Sequence, residues 1–355
     1  MLERYARAIS LDEARQRLGG GRRIVKLAAN ENPLGASPKA LAAVRAVAGL
    51  NLYSDDAYLD LRERLAARHG LRASNVIVGH GSNEIVKLAA EAILRPDDEA
   101  VMAVPSFLLY RIAVAARGAT PVEVPLREGV CDLEAMLSAV TARTKLVFLC
   151  DPNNPTGTAV DLADWRSFLG ALPAGVAVVV DQAYREYASD RCVDAIDDVP
   201  RRARTLVLRT MSKIYGLASL RFGYGFADEE MVELLDRYRL PFNVSAPAVA
   251  GAAAAVEDHE FRAASIENNE AGKRQIFPAL AALGLDRYAT EANFYALKVP
   301  VSATRAFEDL LGEGIIVRSG DALRMPGRVR ITIGTPEENA LLVGALERLV
   351  RRWRD

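Results

Sequence analysis

The sequence is poor in the residues that form disulfides and metal sites. Its 355 residues include three cysteines and three histidines, namely Cys131, Cys150, Cys192, His69, His80 and His259. The cysteines are odd in number and have no paired spacing, so neither a disulfide framework nor a zinc site is expected, and a reducing, cytoplasmic compartment is indicated. The histidines are too far apart in the sequence to predict a histidine-built metal site.

Long apolar runs and a charge excess are also missing. The longest apolar runs, such as LPAGVAVVV at 172–180, are shorter than the ~20 residues that a membrane span needs. The first ten residues have no apolar core of a signal peptide. With a formal net charge of −1, neither nucleic acid nor an anionic membrane is indicated as the main partner. The absence of a G-x-x-x-x-G-K-[ST] motif argues against a nucleotide triphosphatase.

Lysine is scarce as well, with seven residues against 38 arginines. One of them, Lys213, stands among mostly small and apolar residues in RTMSKIYGLASLRFGY at 209–224, eight positions before Arg221. Because this chain uses arginine at nearly every other cationic position, the lysine indicates a need for a primary amine. A structural role for Lys213 is the alternative at this point. Gly216 and Gly223 are expected to leave space for backbone close to a ligand.

The order of apolar and helical segments predicts the fold class. From about residue 56, segments with helical periodicity alternate with short apolar segments such as NVIVG, EAVMAV, KLVFLC and GVAVVVD. Apolar strands separated by helices form mainly parallel sheets with both faces covered, so an α/β fold is expected. We expect Ser82 or Asn83 to cap the helix that follows NVIVG.

The pattern changes after about residue 245. A long helical stretch is followed by the strand-like segments NFYALKV, IIVR and RVRITIG and by a closing helix. This order predicts a large domain over 41–245 and a smaller C-terminal α+β domain over 246–355. The segment 1–40 is expected to pack beside the small domain.

Polar residues follow several of the apolar strands. Because ligands bind at the carboxyl ends of strands in such sheets, these residues are candidates for a site. GHGSNE at 79–84 has two glycines in the spacing of a phosphate-binding turn, with Glu84 where the third would stand. A plain tight turn is an equally open reading of that segment.

Two further strand ends carry amide and carboxylate groups. DPNNPTG at 151–157 supplies Asn153 and Asn154, and Asp181 follows the apolar AVVV. A carboxylate at the end of a buried strand is costly without a positive partner. The alternative for Asp181 is a helix cap or a turn residue.

Together these residues suit pyridoxal 5'-phosphate. That cofactor needs a lysine amine for covalent attachment, a carboxylate beside its pyridine nitrogen, donors to its phenolate oxygen and a phosphate cup. An arginine could not replace Lys213, because a guanidinium stays protonated. The residues that match these needs are Lys213, Asp181, Asn154, Tyr184, Gly81, Ser82, Ser212 and Arg221.

The motifs, taken in order, resemble a known family. They are LAANENPLG (27–35), GHGSNE, VPSFLLY (104–110), DPNNPTG, DQAYREY (181–187), SKIYGLASLRFGY, GIIVRS (314–319) and RITIGTPEEN (330–339). The chain resembles the fold-type I pyridoxal-phosphate aminotransferases, and among them the histidinol-phosphate aminotransferases, over nearly its whole length. The resemblance implies an aspartate-aminotransferase-like fold, with a seven-stranded, mainly parallel sheet in the large domain.

The resemblance also implies roles for residues at matching positions. Lys213 would hold the cofactor and move the proton of the substrate α-carbon, and Asp181 would pair with the pyridine nitrogen. Asn154 and Tyr184 would bond the phenolate oxygen, and Phe107 would stack on the ring. The residues implied at the cofactor phosphate are Gly81, Ser82, Asn83, Thr210, Ser212 and Arg221.

Further residues are implied at the substrate and at a subunit interface. Tyr53 matches a tyrosine that reaches the cofactor phosphate of a neighbouring subunit, which implies a homodimer. Arg330 matches the arginine that holds the anionic group of the substrate, with Arg318 as its companion, and two arginines on successive strands suit a phosphate or carboxylate. Asn32 and Tyr5 are further substrate candidates.

The reaction implied is amino-group exchange between L-histidinol phosphate and 2-oxoglutarate. The N-terminal segment and VRSGDALRMPG at 317–327, which adds Arg324, differ from the usual family pattern where substrate is recognised. Aromatic amino acids are therefore an alternative amino donor, and a threonine-phosphate decarboxylase is an alternative of another reaction class. A cofactor-sensing regulatory module is a third reading, but no basic helix-turn-helix segment supports it.

Overall fold

The structure is a computed structural model that describes residues 7–19, 21 and 23–354. Its helices are α1 Leu11–Leu18, α2 Pro38–Arg45, α3 Leu59–Ala67, α4 Ser82–Ile93, α5 Leu109–Ala116, α6 Leu133–Ser138, α7 Leu162–Ala171, α8 Glu229–Asp236, α9 Ala246–Val256, α10 His259–Ala282, α11 Ala303–Gly312 and α12 Pro336–Arg354. Its strands are β1 Val25–Lys26, β2 Val76–His80, β3 Glu99–Val104, β4 Thr120–Pro125, β5 Thr144–Cys150, β6 Ala177–Asp181, β7 Thr205–Thr210, β8 Phe222–Phe226, β9 Phe294–Lys298, β10 Ile315–Ile316, β11 Arg318–Ser319 and β12 Arg328–Thr332.

The largest sheet has seven strands in the order β2-β8-β7-β6-β5-β3-β4. Four of its neighbouring pairs are parallel, and only β8 runs antiparallel to its neighbours β2 and β7. The predicted α/β fold with a mainly parallel sheet is therefore confirmed.

Helices cover both faces of this sheet because successive strand residues point to opposite sides. On β6, Val178 and Val180 pack with α2, α3, α6, α7 and α9 in one core cluster, whereas Ala177 and Val179 pack with α4, α5 and α8 in another. Burial on both faces explains why β6 reads as a continuous apolar run that ends at Asp181.

Most helices begin at a side-chain cap, whereas α3, α4 and α5 have none. Asp132 and Asp161 cap α6 and α7 by accepting from the N–H groups of Ala135 and Ala163. At α4 the capping residue is Gly81, with φ +74°, and it makes no side-chain cap. The prediction that Ser82 or Asn83 caps this helix is wrong, since Ser82 is already its first helical residue. The first N–H groups of α4 thus stay open to a ligand.

A second core lies in the C-terminal part of the chain. Strands β11, β12 and β9 form a three-stranded antiparallel sheet, and β1 pairs in parallel with β10. Val25 and Leu27 from the N-terminal part pack in one cluster with residues of α10, α11 and α12. The N-terminal segment therefore contacts the C-terminal elements, while the three domain boundaries stay a prediction.

In the described part of the chain, no helix combines the length and apolarity that a membrane span requires. The three cysteines are buried free thiols. Among the described residues, no group of three or more histidine, cysteine, aspartate or glutamate side chains is arranged to hold a metal ion.

Candidate active site

A cavity of about 230 Å³ lies at the carboxyl ends of β5, β6 and β7, next to the small sheet. The predicted residues that line it are Ser82, Asn83, Phe107, Asn154, Asp181, Tyr184, Thr210, Ser212, Lys213, Arg221, Arg318 and Arg330. Parallel pairing of β5, β6 and β7 ends the three strands at one edge of the sheet, and so brings Asn154, Asp181 and Lys213 together.

Among the described residues, Asp181 is the one carboxylate that lines the cavity. It is 4% exposed, and it accepts hydrogen bonds from the Tyr110 hydroxyl at 2.8 Å and from the Ala183 N–H at 3.2 Å. Burial raises the pKa of Asp181, and the two hydrogen bonds oppose that rise by favouring the carboxylate. Asp181 has no salt bridge with a described residue, so a cationic group of a ligand would meet an open buried carboxylate.

Lys213 supplies the amine. Its Nζ donates to the Ala29 carbonyl at 3.0 Å and lies 5.7 Å from the centre of the Tyr184 ring. Burial lowers the pKa of Lys213 from 10.5 to about 8, and repulsion from Arg330 and Arg221 acts in the same direction. A lysine with this pKa is about one-tenth neutral at pH 7, far more than an exposed lysine, and only the neutral amine is a nucleophile.

The phosphate-binding features predicted from the sequence meet at one end of the cavity. Ser82 and Asn83 begin α4, and the Arg221 Nη1 donates to the Ser212 hydroxyl at 3.3 Å. Gly81 allows the approach of Arg221, because a Cβ at position 81 would lie 2.5 Å from the Arg221 Nη2. Helix N–H groups, a hydroxyl and a guanidinium are the groups that bind a phosphate.

The two glycines near Lys213 serve the packing of protein backbone. A Cβ at Gly223 would lie 2.1 Å from the Ser82 nitrogen, so Gly223 lets β8 pass behind the start of α4. A Cβ at Gly216 would lie 1.9 Å from the Gly35 carbonyl oxygen, away from the cavity lining. Gly216 therefore leaves no space beside the cavity, contrary to the expectation. Gly223 contributes only by letting β8 pack against the start of α4, which borders the cavity.

The two asparagines of DPNNPTG have different environments. Asn153 is 1% exposed, and it bonds to Ser106, Thr156 and the Pro105 carbonyl, which fixes the loop. Asn154 lines the cavity, and its Oδ1 accepts from the Arg330 Nη1 at 2.6 Å. The N–H donors of Asn154 are thus left for a ligand.

Tyr184 faces Asn154 across the same cavity. Its hydroxyl accepts from the Asn30 Nδ2 at 3.0 Å, which leaves the hydroxyl proton available to a ligand. Burial raises the pKa of Tyr184, so the hydroxyl stays a donor at neutral pH.

Arg318 and Arg330 lie directly opposite each other on β11 and β12. Both are buried, at 7% and 6% exposed, and both line the cavity. Like charges at paired positions repel, and an anion bound between them would relieve that repulsion. The Arg330 Nη2 also donates to the Ala28 carbonyl at 2.7 Å, which fixes the direction of the guanidinium.

The cavity residues fit pyridoxal phosphate. A phosphate suits the start of α4 with Ser212 and Arg221, and a protonated pyridine nitrogen suits the open carboxylate of Asp181. The buried amine of Lys213 suits covalent attachment, and Asn154 and Tyr184 offer donors between these ends. Phe107 lines the same cavity, where an aromatic face can pack against a ring.

Three predicted residues of the described chain do not line the cavity, namely Gly81, Asn32 and Tyr53. The Asn32 amide donates to the Ile214 carbonyl and the Ser265 hydroxyl, both at 2.8 Å, so these contacts do not favour its predicted substrate role. Tyr53 is 82% exposed and stacks on Phe242. Tyr5 lies outside the described residues.

Sequence reasoning missed two residues of the site. Asn30 lines the cavity and holds Tyr184, whereas the sequence-based choice was Asn32 in the same LAANENPLG motif. Asn30 has φ +54°, a left-handed conformation that asparagine tolerates, but the sequence offers Asn30 and Asn32 alike for such a position. Tyr110, which bonds Asp181, carried no signal beyond its place at the end of VPSFLLY.

The chain matches proteins of known class over nearly its whole length. The model of a family described as aminotransferase class I and II matches residues 22–346. A histidinol-phosphate aminotransferase 2 from Pseudomonas aeruginosa is 43% identical over 352 residues, which cover 98% of this chain and 95% of that protein.

Two solved structures share the fold. The histidinol-phosphate aminotransferase from Sinorhizobium meliloti in complex with pyridoxal-5'-phosphate is 27% identical, with a TM-score of 0.89 over 97% of this chain and 95% of that one. An aspartate aminotransferase from Thermus thermophilus with maleate is 24% identical, with a TM-score of 0.84 over 96% and 94% of the two chains. The predicted aspartate-aminotransferase-like fold is confirmed.

Replacing Tyr110 with phenylalanine is expected to weaken cofactor binding. The change removes the hydroxyl that stabilises the charged form of Asp181 and leaves the apolar packing of the ring intact. Hydrogen bonds to charged groups contribute about 1.5–3 kcal/mol, so the dissociation constant of pyridoxal phosphate should rise about tenfold or more. Fluorescence titration of the apoprotein with pyridoxal phosphate measures this dissociation constant.

Tyr187→Phe is the matched control, because this buried tyrosine lies outside the cavity lining. Equal affinities for Tyr110→Phe and the unmodified protein would show that the hydroxyl of Tyr110 does not support Asp181.

Proposed function

Because the chain belongs to the class I and II aminotransferases and, among them, to the histidinol-phosphate aminotransferase family, we propose that it transfers the amino group of L-histidinol phosphate to 2-oxoglutarate with pyridoxal phosphate as its cofactor. The observation that carries the substrate assignment is the facing pair Arg318 and Arg330 in the cavity of Lys213. The amino donor carries a phosphate and the acceptor two carboxylates, and both anions suit a pair of guanidinium groups.

Each residue of the cavity has a task in this proposal. When bound, the cofactor supplies the carbonyl that accepts the amino group and an electron-withdrawing ring that acidifies the substrate Cα–H. Asp181 would hold a proton at the pyridine nitrogen, with Tyr110 keeping the carboxylate charged. Asn154 and Tyr184 would donate to the phenolate oxygen, and the start of α4 with Ser212 and Arg221 would bind the phosphate.

Lys213 would act on the proton of the substrate. Its amine is buried, and burial lowers its pKa to about 8, close to the pH at which a general base is most effective. With its amine neutral, Nζ would take the proton from the substrate Cα and hold it for return. The hydrogen bond to the Ala29 carbonyl keeps Nζ within the cavity.

A homodimer with Tyr53 reaching the cofactor phosphate of the second copy is part of the proposal. Its support is a group of exposed apolar side chains in two nearby segments, formed by Leu50, Leu52, Tyr53, Leu240 and Phe242. Leu50, Leu52 and Leu240 are 74%, 70% and 70% exposed, and exposed apolar groups of this kind favour a protein interface.

Leu240→Asp is expected to shift the protein from dimer to monomer in sedimentation, because it would bury a charge in the interface. Leu341→Asp, on the exposed side of α12, is the matched control and should sediment as the unmodified protein does. A monomeric unmodified protein would refute the shared site.

The domain boundaries and the compartment also belong to the proposal. A division into 1–40, 41–245 and 246–355 is supported by the separate core of the C-terminal elements, to which Val25 and Leu27 contribute. Three buried free thiols support a reducing, cytoplasmic location.

Arg330→Gln is expected to lower kcat/KM for histidinol phosphate about 10- to 100-fold, mainly through KM, because it removes charge-assisted hydrogen bonds to the anion. A coupled assay with 2-oxoglutarate measures the exchange. Arg328→Gln is the matched control on the same strand, since this arginine packs on the Tyr288 ring, 3.7 Å from its centre, and does not line the cavity.

Assays with other amino donors distinguish the proposed function from the two alternative reactions. Strong turnover of phenylalanine or tyrosine with none of histidinol phosphate would replace the assignment with an aromatic transaminase. Release of carbon dioxide from threonine phosphate would replace it with a decarboxylase.

A further inference from the structure

A second cavity lies behind the segments that carry Asp181 and Lys213. Its volume is about 520 Å³, against about 230 Å³ for the active-site cavity, and no residue lines both. The end of α3, the start of α10, the 185–194 segment and β7 enclose it. Arg209 faces this cavity while its neighbour Thr210 faces the active site, as the alternation of a strand requires.

Four arginines line the second cavity, and the carboxylate of Asp194 offsets the positive charge of two of them. Arg209 and Arg185 have nitrogens 2.7 Å and 3.8 Å from the two carboxylate oxygens of Asp194. Arg68 donates to the Val256 carbonyl at 2.6 Å, and Arg262 keeps its Nε buried without a hydrogen bond. Among the described residues, neither Arg68 nor Arg262 forms a salt bridge.

The other titratable groups that line this cavity are Glu186, His69 and Asp190, besides the two tyrosines. Glu186 has one buried oxygen without a hydrogen-bond partner, and burial raises its pKa against the opposing effects of Arg209 and Arg262. Burial, together with repulsion from Arg209 and Arg68, lowers the pKa of His69, so this imidazole is neutral at neutral pH. Asp190 is exposed to solvent.

Neutral donors and an apolar wall complete the lining. Tyr215 and Tyr224 are 4% and 5% exposed, and neither hydroxyl bonds to another described residue. Burial raises the pKa of both, that of Tyr215 to about 12, so both remain donors. Apolar side chains that line the same cavity are Leu65, Val256 and Ile266.

We propose that this second cavity binds a small oxyanion, a phosphate or carboxylate group, between Arg68 and Arg262, with the Tyr215 and Tyr224 hydroxyls as additional donors. Guanidinium groups bind such anions through paired, charge-assisted hydrogen bonds. An anion would also offset the charge of Arg262, whose buried Nε has no hydrogen bond, and of the solvent-exposed Arg68.

Phosphate binding to the holoenzyme tests the proposal. In the holoenzyme the start of α4, Ser212 and Arg221 would be taken up by the cofactor phosphate. Inorganic phosphate should then bind only at Arg318 and Arg330 and in the second cavity. Calorimetric titration at constant ionic strength should therefore show two sites. Arg330→Gln should remove one of them, and the second cavity should account for the other.

Arg262→Gln and Arg68→Gln, made separately, should each weaken the remaining site about tenfold or more, and Arg262→Lys should restore part of the affinity. Arg274→Gln is the matched control on α10, because this exposed arginine pairs with Glu267, and it should leave both sites unchanged. Methyl phosphate and acetate, titrated in parallel, identify which oxyanion is preferred.

Two results would overturn the proposal. One is the loss of all phosphate binding in Arg330→Gln, and the other is binding that neither Arg262→Gln nor Arg68→Gln weakens. The melting temperature of each variant distinguishes lost binding from lost folding. Arg68 follows α3 and Arg262 lies in α10, so one variant can still be tested if the other does not fold.

Discussion

Positive charge gathered at one edge of the large sheet is the constraint on which the site depends. One cavity is lined by Lys213, Arg221, Arg318 and Arg330, and Asp181 is the one carboxylate that the described residues add to it. This excess has two consequences. Repulsion from the arginines adds to the effect of burial in lowering the pKa of Lys213, which raises the neutral fraction of its amine. The same excess favours anionic ligands, and both the phosphate of the cofactor and the anions of the proposed substrates would reduce it.

The arrangement of the charges follows from strand pairing in two sheets. Parallel pairing of β5, β6 and β7 places Asp181 at the edge from which the chain continues to Lys213. Antiparallel pairing of β11 with β12 sets Arg318 opposite Arg330, and the contact from Arg330 to Asn154 joins the two sheets at 2.6 Å. The site therefore needs both parts of the chain, because the large sheet carries most of the proposed cofactor residues and β11 and β12 carry the proposed substrate arginines.

The sequence was sufficient where a residue's role follows from its type and its place at a strand end. Lys213 could be singled out because an arginine there could not act as a nucleophile, and Asp181 because it ends an apolar strand. Asn30 and Asn32 could not be told apart, since both stand in one loop and only tertiary contacts decide that Asn32 bonds to Ile214 and Ser265. Gly216 packs against the backbone of Gly35, and Tyr110 donates to Asp181. Both contacts join segments that are far apart in the sequence, so no local sequence pattern predicts them.

The most direct test of this account is the pH dependence of cofactor capture by the apoprotein. Stopped-flow absorbance gives the rate at each pH, and borohydride reduction followed by peptide mass spectrometry identifies the modified lysine. Because the neutral amine reacts and its pKa is lowered, the rate should rise with pH to a plateau with a midpoint of about 8, and Lys213 should carry the cofactor. A midpoint near the ordinary lysine value of 10.5, or attachment to another lysine, would contradict the account.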